Sequence, residues 1–105
     1  MANPMAGEVV IRLDGRKRVA RLTLGALAEV EAELGGSVLD LVRRFESGAF
    51  SARDILVLLF AALKAGGWKG SEEDLRQAEI GGGPLEAARI AATLLVRAFT
   101  VPGQE

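Results

Sequence analysis

The chain has 105 residues, half of them hydrophobic and about a quarter charged, with a formal net charge of −1 and a pI near 5.5. This fits one globular domain with one modest core and disfavours nucleic-acid binding over the whole surface. Neither Cys nor His is present, which excludes disulfides, thiolate catalysis and Cys-based zinc sites and removes the commonest general base and metal ligand near neutral pH.

No run reaches the roughly 20 apolar residues that span a bilayer. The opening MANPMAGE lacks the basic-then-apolar order of a secretory signal. The expectation is a cytoplasmic chain forming a single domain over 1–105, with disordered ends at 1–7 and 100–105.

Val9, Ile11 and Leu13 alternate with polar neighbours, as on one face of a strand, and Asp14-Gly15 signals a tight turn. Residues 18–23 are expected to form the return strand. A two-residue Gly15-Arg16 turn sets Ala20 and Leu22 opposite Ile11 and Val9, and is preferred to a three-residue loop that turns Val19 inward. A hairpin alone is marginal in water, so its apolar face must lie on helices.

Thr23 suits the cap of a first helix, Leu24–Leu34, stopped by Gly35-Gly36. Leu27, Val30 and Leu34 form its apolar seam. Glu29 and Glu33 lie one turn apart on its surface, a like-charge spacing that costs an isolated helix about 0.2–0.5 kcal/mol. They read as a solvated acidic face or, less simply, as a contact for a basic partner. Ser37 and Asp40 repeat a capping pattern before Val38, Leu41, Val42 and Phe45, with Asp40 placed to pair with Arg43 or Arg44. Gly48 ends this second helix, and Phe50 precedes the next cap, where it can staple onto Ile55.

Residues 51–65, SARDILVLLFAALKA, are the expected centre of the fold. Ser51 and Asp54 cap a helix with no polar residue from Ile55 to Leu63, so every face must be covered by neighbours or by a partner. Gly66 and Gly67 end it, and a linker follows that holds Trp68. Glu72, Glu73 and Asp74 open a short fourth helix, with acids where the helix dipole favours them. After Gly81-Gly82-Gly83, Pro84 begins a last helix whose polar Glu86, Arg89, Thr93 and Arg97 make one narrow stripe. The expected fold is α+β and mostly helical, an N-terminal β-hairpin packed on about five short-to-medium helices.

Ser37, Ser51 and Ser71 all occupy cap positions, and no base is available to activate a nucleophile. Lys69-Gly70-Ser71 has the wrong order for a P-loop, and the Gly81–Gly83 run lacks a Lys. No catalytic, cofactor or metal site is therefore expected. Arg16, Lys17, Arg18 and Arg21 make a basic hairpin, but without interleaved aromatics an acidic protein fits it better than DNA or RNA. Trp68, flanked by glycines, reads as a lid on the core or as an interface anchor. Leu59 and Leu63 on the central helix and Leu95 and Phe99 on the last one are the apolar side chains expected to be left for a partner by a domain this small.

The run GEVVIRLDGRKRVARLTLGALAEVEAELGG, followed by LVRRFESGAFSARDILVLLFAALKAGG, resembles the small tail assembly chaperones of gene transfer agents and related siphophages. The match covers residues 7–67 closely and the C-terminal third in general character. The resemblance implies a non-enzymatic cytoplasmic factor that binds the tape-measure protein, assists tail-tube subunits and is absent from the mature particle. In that reading Trp68, Glu29 and Glu33 would be rim contacts. The alternatives are a structural tail component, such as a tube or connector subunit, and a small nucleic-acid-binding regulator. Self-association stays open.

Overall fold

The computed structural model describes Asn3 and residues 6–99. The expected disordered ends, 1–7 and 100–105, lie outside the described residues except for Asn3, Ala6 and Gly7. The Asn3 carbonyl there accepts the Ala6 and Glu8 N–H groups at 3.0 and 3.1 Å. Two strands, β1 (Val9–Leu13) and β2 (Arg16–Ala20), precede five helices: α1 (Leu24–Leu34), α2 (Val38–Ser47), α3 (Ala52–Ala65), α4 (Glu72–Gln77) and α5 (Gly83–Ala98). The fold is α+β and mostly helical, with an antiparallel hairpin at its N-terminal end.

The hairpin register differs from the expected one. Val9 faces Ala20 and Ile11 faces Arg18, so the turn is Asp14-Gly15 and β2 begins two residues earlier. Both turn residues have positive φ, 52° and 81°. That geometry matches the right-handed twist of the flanking strands, and Asp and Gly adopt it at low cost. A shift of two preserves the faces, so Ala20 still points inward with Val9, Ile11 and Leu13. Beyond Ala20 the chain leaves the sheet, and the Arg21 N–H donates to the Ala62 carbonyl of α3 at 3.0 Å.

Local signals set the helix ends. Thr23 caps α1, and Ser37, Ser51 and Ser71 form reciprocal capping boxes with Asp40, Asp54 and Asp74 at the starts of α2, α3 and α4. Gly35 and Gly48 close α1 and α2 in the left-handed conformation. Phe50 has its ring partner in Phe45, stacked at 4.7 Å between centroids, so it clamps the link to the end of α2.

The core gathers around α3, where Leu58, Leu59, Ala62 and Leu63 are fully buried with Ile11, Val30, Leu41, Ile90 and Leu94 from the surrounding elements. On α5 the stripe of Glu86, Arg89, Thr93 and Arg97 is separate from the buried Ala87, Ile90, Ala91, Leu94 and Leu95. Arg97 reaches back to donate to the Glu8 carbonyl, tying the last helix to the start of β1.

Among the described residues one charged side chain is buried. Asp54 is 5% exposed. It accepts two hydrogen bonds from the Arg44 guanidinium, at 2.8 and 3.0 Å, besides the Ser51 N–H at 2.9 Å. Burial pushes its carboxyl up, but the Arg44 and Ser51 hydrogen bonds and the Arg44 charge outweigh that, and its pKa falls below the ordinary 3.8. One carboxylate thereby caps α3 and fixes α2 across its start.

Two outcomes follow from this packing. A Cβ on Gly66 would stand 2.1 Å from the Val19 carbonyl oxygen, backbone that cannot swing aside. Gly66→Ala should therefore cost about 1–3 kcal/mol in urea unfolding; an unchanged midpoint would contradict the close approach of β2 to α3. The Asp54 contribution is complete above pH 3.8 and lost as pH falls through its lower folded value. Arg44→Met should destabilise the protein near pH 7 by about 1–2 kcal/mol, discounted because the Arg44 side chain is 37% exposed. The gap to the parent protein should narrow in acid, and a gap independent of pH would contradict the pairing.

Candidate protein-interaction surface

Three surfaces emerge from these elements. One is an apolar groove of about 1090 Å³ between α3, α4, the 78–83 segment and the start of α5. Ile55 and Leu56 of α3 form its floor over Leu59, with Ile80 and Pro84 among the residues of the opposite wall. Its position depends on a pairing across the fold: the Asp14 N–H donates to the Glu79 carbonyl at 2.8 Å, and the Gly81 N–H to the Arg12 carbonyl at 3.0 Å. Leu13 and Ile80 thus form an antiparallel bridge. The Asp14 carboxylate also accepts the Glu79 N–H at 2.9 Å. The glycine run is therefore a break between helices that also pairs with β1, a role no local pattern announces.

Arg12, Arg53 and Arg76 border this groove, with Glu79 as the acid among its lining residues. Arg53 lies 3.6 Å from Glu33, and Arg76 lies 3.4 Å from Glu72. Arg12 has no ion pair among the described residues, and its stem lies against Gly81, where a Cβ would come within 2.9 Å of the Arg12 Cβ. Gly81 thus lets the Arg12 side chain lie along the groove wall.

The second surface joins α1 to α3. The Glu29 carboxylate accepts from Lys64 at 3.0 Å, and the same ammonium lies 4.9 Å from the Phe60 ring centroid. Trp68 meets Phe60 edge to face at 6.5 Å. Its indole also covers Gly70, where a Cβ would come within 2.1 Å of the ring. Trp68 is half-buried and acts as a lid here, and Glu29 and Glu33 strap α1 to α3 through exposed ion pairs, each worth about 0–1 kcal/mol.

The third surface is the hairpin, where Arg12, Arg16, Lys17, Arg18 and Arg21 have no ion pair among the described residues.

The sequence candidates therefore do not form one site. Glu29 and Trp68 share a strip through Lys64 and Phe60. Leu59 lies beneath the groove floor but is itself a core residue, 1% exposed. Leu63 and Leu95 are core residues, offering no surface in this conformation. Phe99 is exposed beyond the end of α5. Sequence reasoning missed the opposite wall and the arginine rim of the groove. The one available signal was Ile80, an isolated large apolar residue beside three glycines.

Among the described residues, no helix is long and apolar enough to cross a membrane, and no cluster of three or more acidic side chains is placed to hold a metal ion. A family model described as "Phage tail tube protein, GTA-gp10" matches residues 6–101. No curated protein and no solved structure matches the chain. The match supports the phage and gene-transfer-agent tail setting implied by the sequence resemblance, and its description names the tail tube, not an assembly chaperone. With almost the whole length covered, the chain belongs to the phage tail tube protein, GTA-gp10 family.

Proposed function

We propose that this protein is a non-enzymatic structural component of a phage or gene-transfer-agent tail, working by protein–protein contact with tail-tube subunits. The observation that carries this reading is the family match over residues 6–101. The surface is compatible with it: an apolar groove and a cationic hairpin are features of a chain that joins others. Assembly would take place in the bacterial cytoplasm, and the product would stay in the particle.

One observation favours a second reading, that of a transient assembly chaperone for the tape-measure protein. The groove is open and apolar, and no other element of the described chain covers it. A side of this kind suits temporary cover for an apolar helical segment.

Quantitative mass spectrometry of purified particles separates the two. The structural reading expects this chain at a fixed ratio to the tail-tube subunits, and expects deletion of its gene to leave heads without complete tails. Particles that lack the chain, although deletion still abolishes tails, would overturn that reading in favour of the chaperone.

A further inference from the structure

The groove and the hairpin meet at Arg12 and Gly15, which belong to the hairpin and line the groove. Their charges set this end of the molecule apart. Arg43, Arg44, Arg53, Lys64, Arg76 and Arg89, all on helices, each face a carboxylate of this chain. Among the described residues Arg12, Arg16, Lys17, Arg18 and Arg21 form no ion pair, and of the other cations only Lys69 and Arg97 lack one, Arg97 donating instead to the Glu8 carbonyl.

The backbone narrows the kind of partner. The edge of β1 that borders the groove is already occupied at Arg12 and Asp14 by the 79–81 segment. An incoming strand would find no free ladder there and would leave its own N–H and C=O groups unpaired. A helix satisfies its backbone internally and docks through side chains alone. The floor of Ile55 and Leu56 asks for an apolar stripe on that helix, and the rim of Arg12, Arg53 and Arg76 asks for carboxylates beside the stripe. The exposed ion pairs Arg53–Glu33 and Arg76–Glu72 are weak enough to exchange partners.

We propose that the groove is the docking site for an amphipathic helix of another tail protein, with its apolar stripe on Ile55, Leu56 and Ile80 and its flanking Asp and Glu side chains against Arg12 and the hairpin cations. The proposal rests on reading the chain as a protein-binding tail component. Its test is independent of particle composition, so either can fail alone.

The test uses the full chain and three synthetic helical peptides of about five turns (~18 residues). One carries a Leu/Ala stripe flanked by Glu, the second the same stripe flanked by Lys, and the third Glu flanks with Ser replacing Leu. Titration followed by calorimetry and amide NMR shifts should show the Glu-flanked apolar peptide binding at least roughly tenfold tighter than either control. Its affinity should weaken between about 50 and 300 mM salt. Shifts should centre on Ile55, Leu56 and Ile80. The double variant Arg12→Glu/Arg16→Glu, changed at exposed positions, should reverse the preference between Glu and Lys flanks with an unchanged circular dichroism spectrum. Leu56→Ser should weaken binding of the Glu-flanked peptide roughly tenfold. Equal binding of the Glu- and Lys-flanked peptides, no binding, shifts centred away from the groove, or occupation of the groove by a second copy of the chain would each overturn the proposal.

Discussion

The constraint on which the structure depends is that α3 carries no polar side chain between Ile55 and Leu63. A helix of this kind is stable only when other elements surround it, because each large aliphatic side chain left exposed forgoes about 1.5–3 kcal/mol. The hairpin, α1, α4 and α5 all pack on it. The closest approach is the most restrictive: β2 comes so near the end of α3 that only a hydrogen fits at the Gly66 α-carbon. At the other end Asp54 is buried by the same crowding, and Arg44 and Ser51 satisfy it there. A charge in that position limits how α2 can approach, since an unpaired carboxylate would be costly.

Much of this was legible because it is written in short spacings. Ser37–Asp40 and Ser51–Asp54 are three-residue patterns whose hydrogen bonds close within one turn and form as read, and Ser71 caps α4 as read, with Asp74 completing a third box. The α5 stripe follows directly from helical periodicity. The hairpin register was harder, since two turns one residue apart keep the same faces and differ only in which backbone positions take positive φ. Contacts between distant segments were not legible. Asp14 and Glu79 are 65 residues apart, and nothing local marks them as partners.

The groove is the functional counterpart of that limit. Ile55 and Leu56 stand out in the sequence as apolar, but their setting depends on where the 78–83 segment crosses β1. Glu29 and Glu33 illustrate the reverse case. Their spacing suggested an acidic face, and the fold gives both of them cationic partners on α3. The hairpin cations already read as a basic cluster in the sequence, but that they form no ion pair among the described residues is visible only in the fold. Membership of a tail tube family gives this segregation a setting, because tube building consists of contacts between chains.

On the proposed docking mode, the groove and the hairpin together are the face this protein turns to its tail partners. Hydrogen–deuterium exchange of the intact protein, alone and after mixing with co-produced tail proteins, tests that most directly. Slower exchange confined to residues 12–18, 52–59 and 78–84 is the predicted result. Slower exchange centred on the outer surfaces of α1 and α2, with those three segments unchanged, would contradict the account.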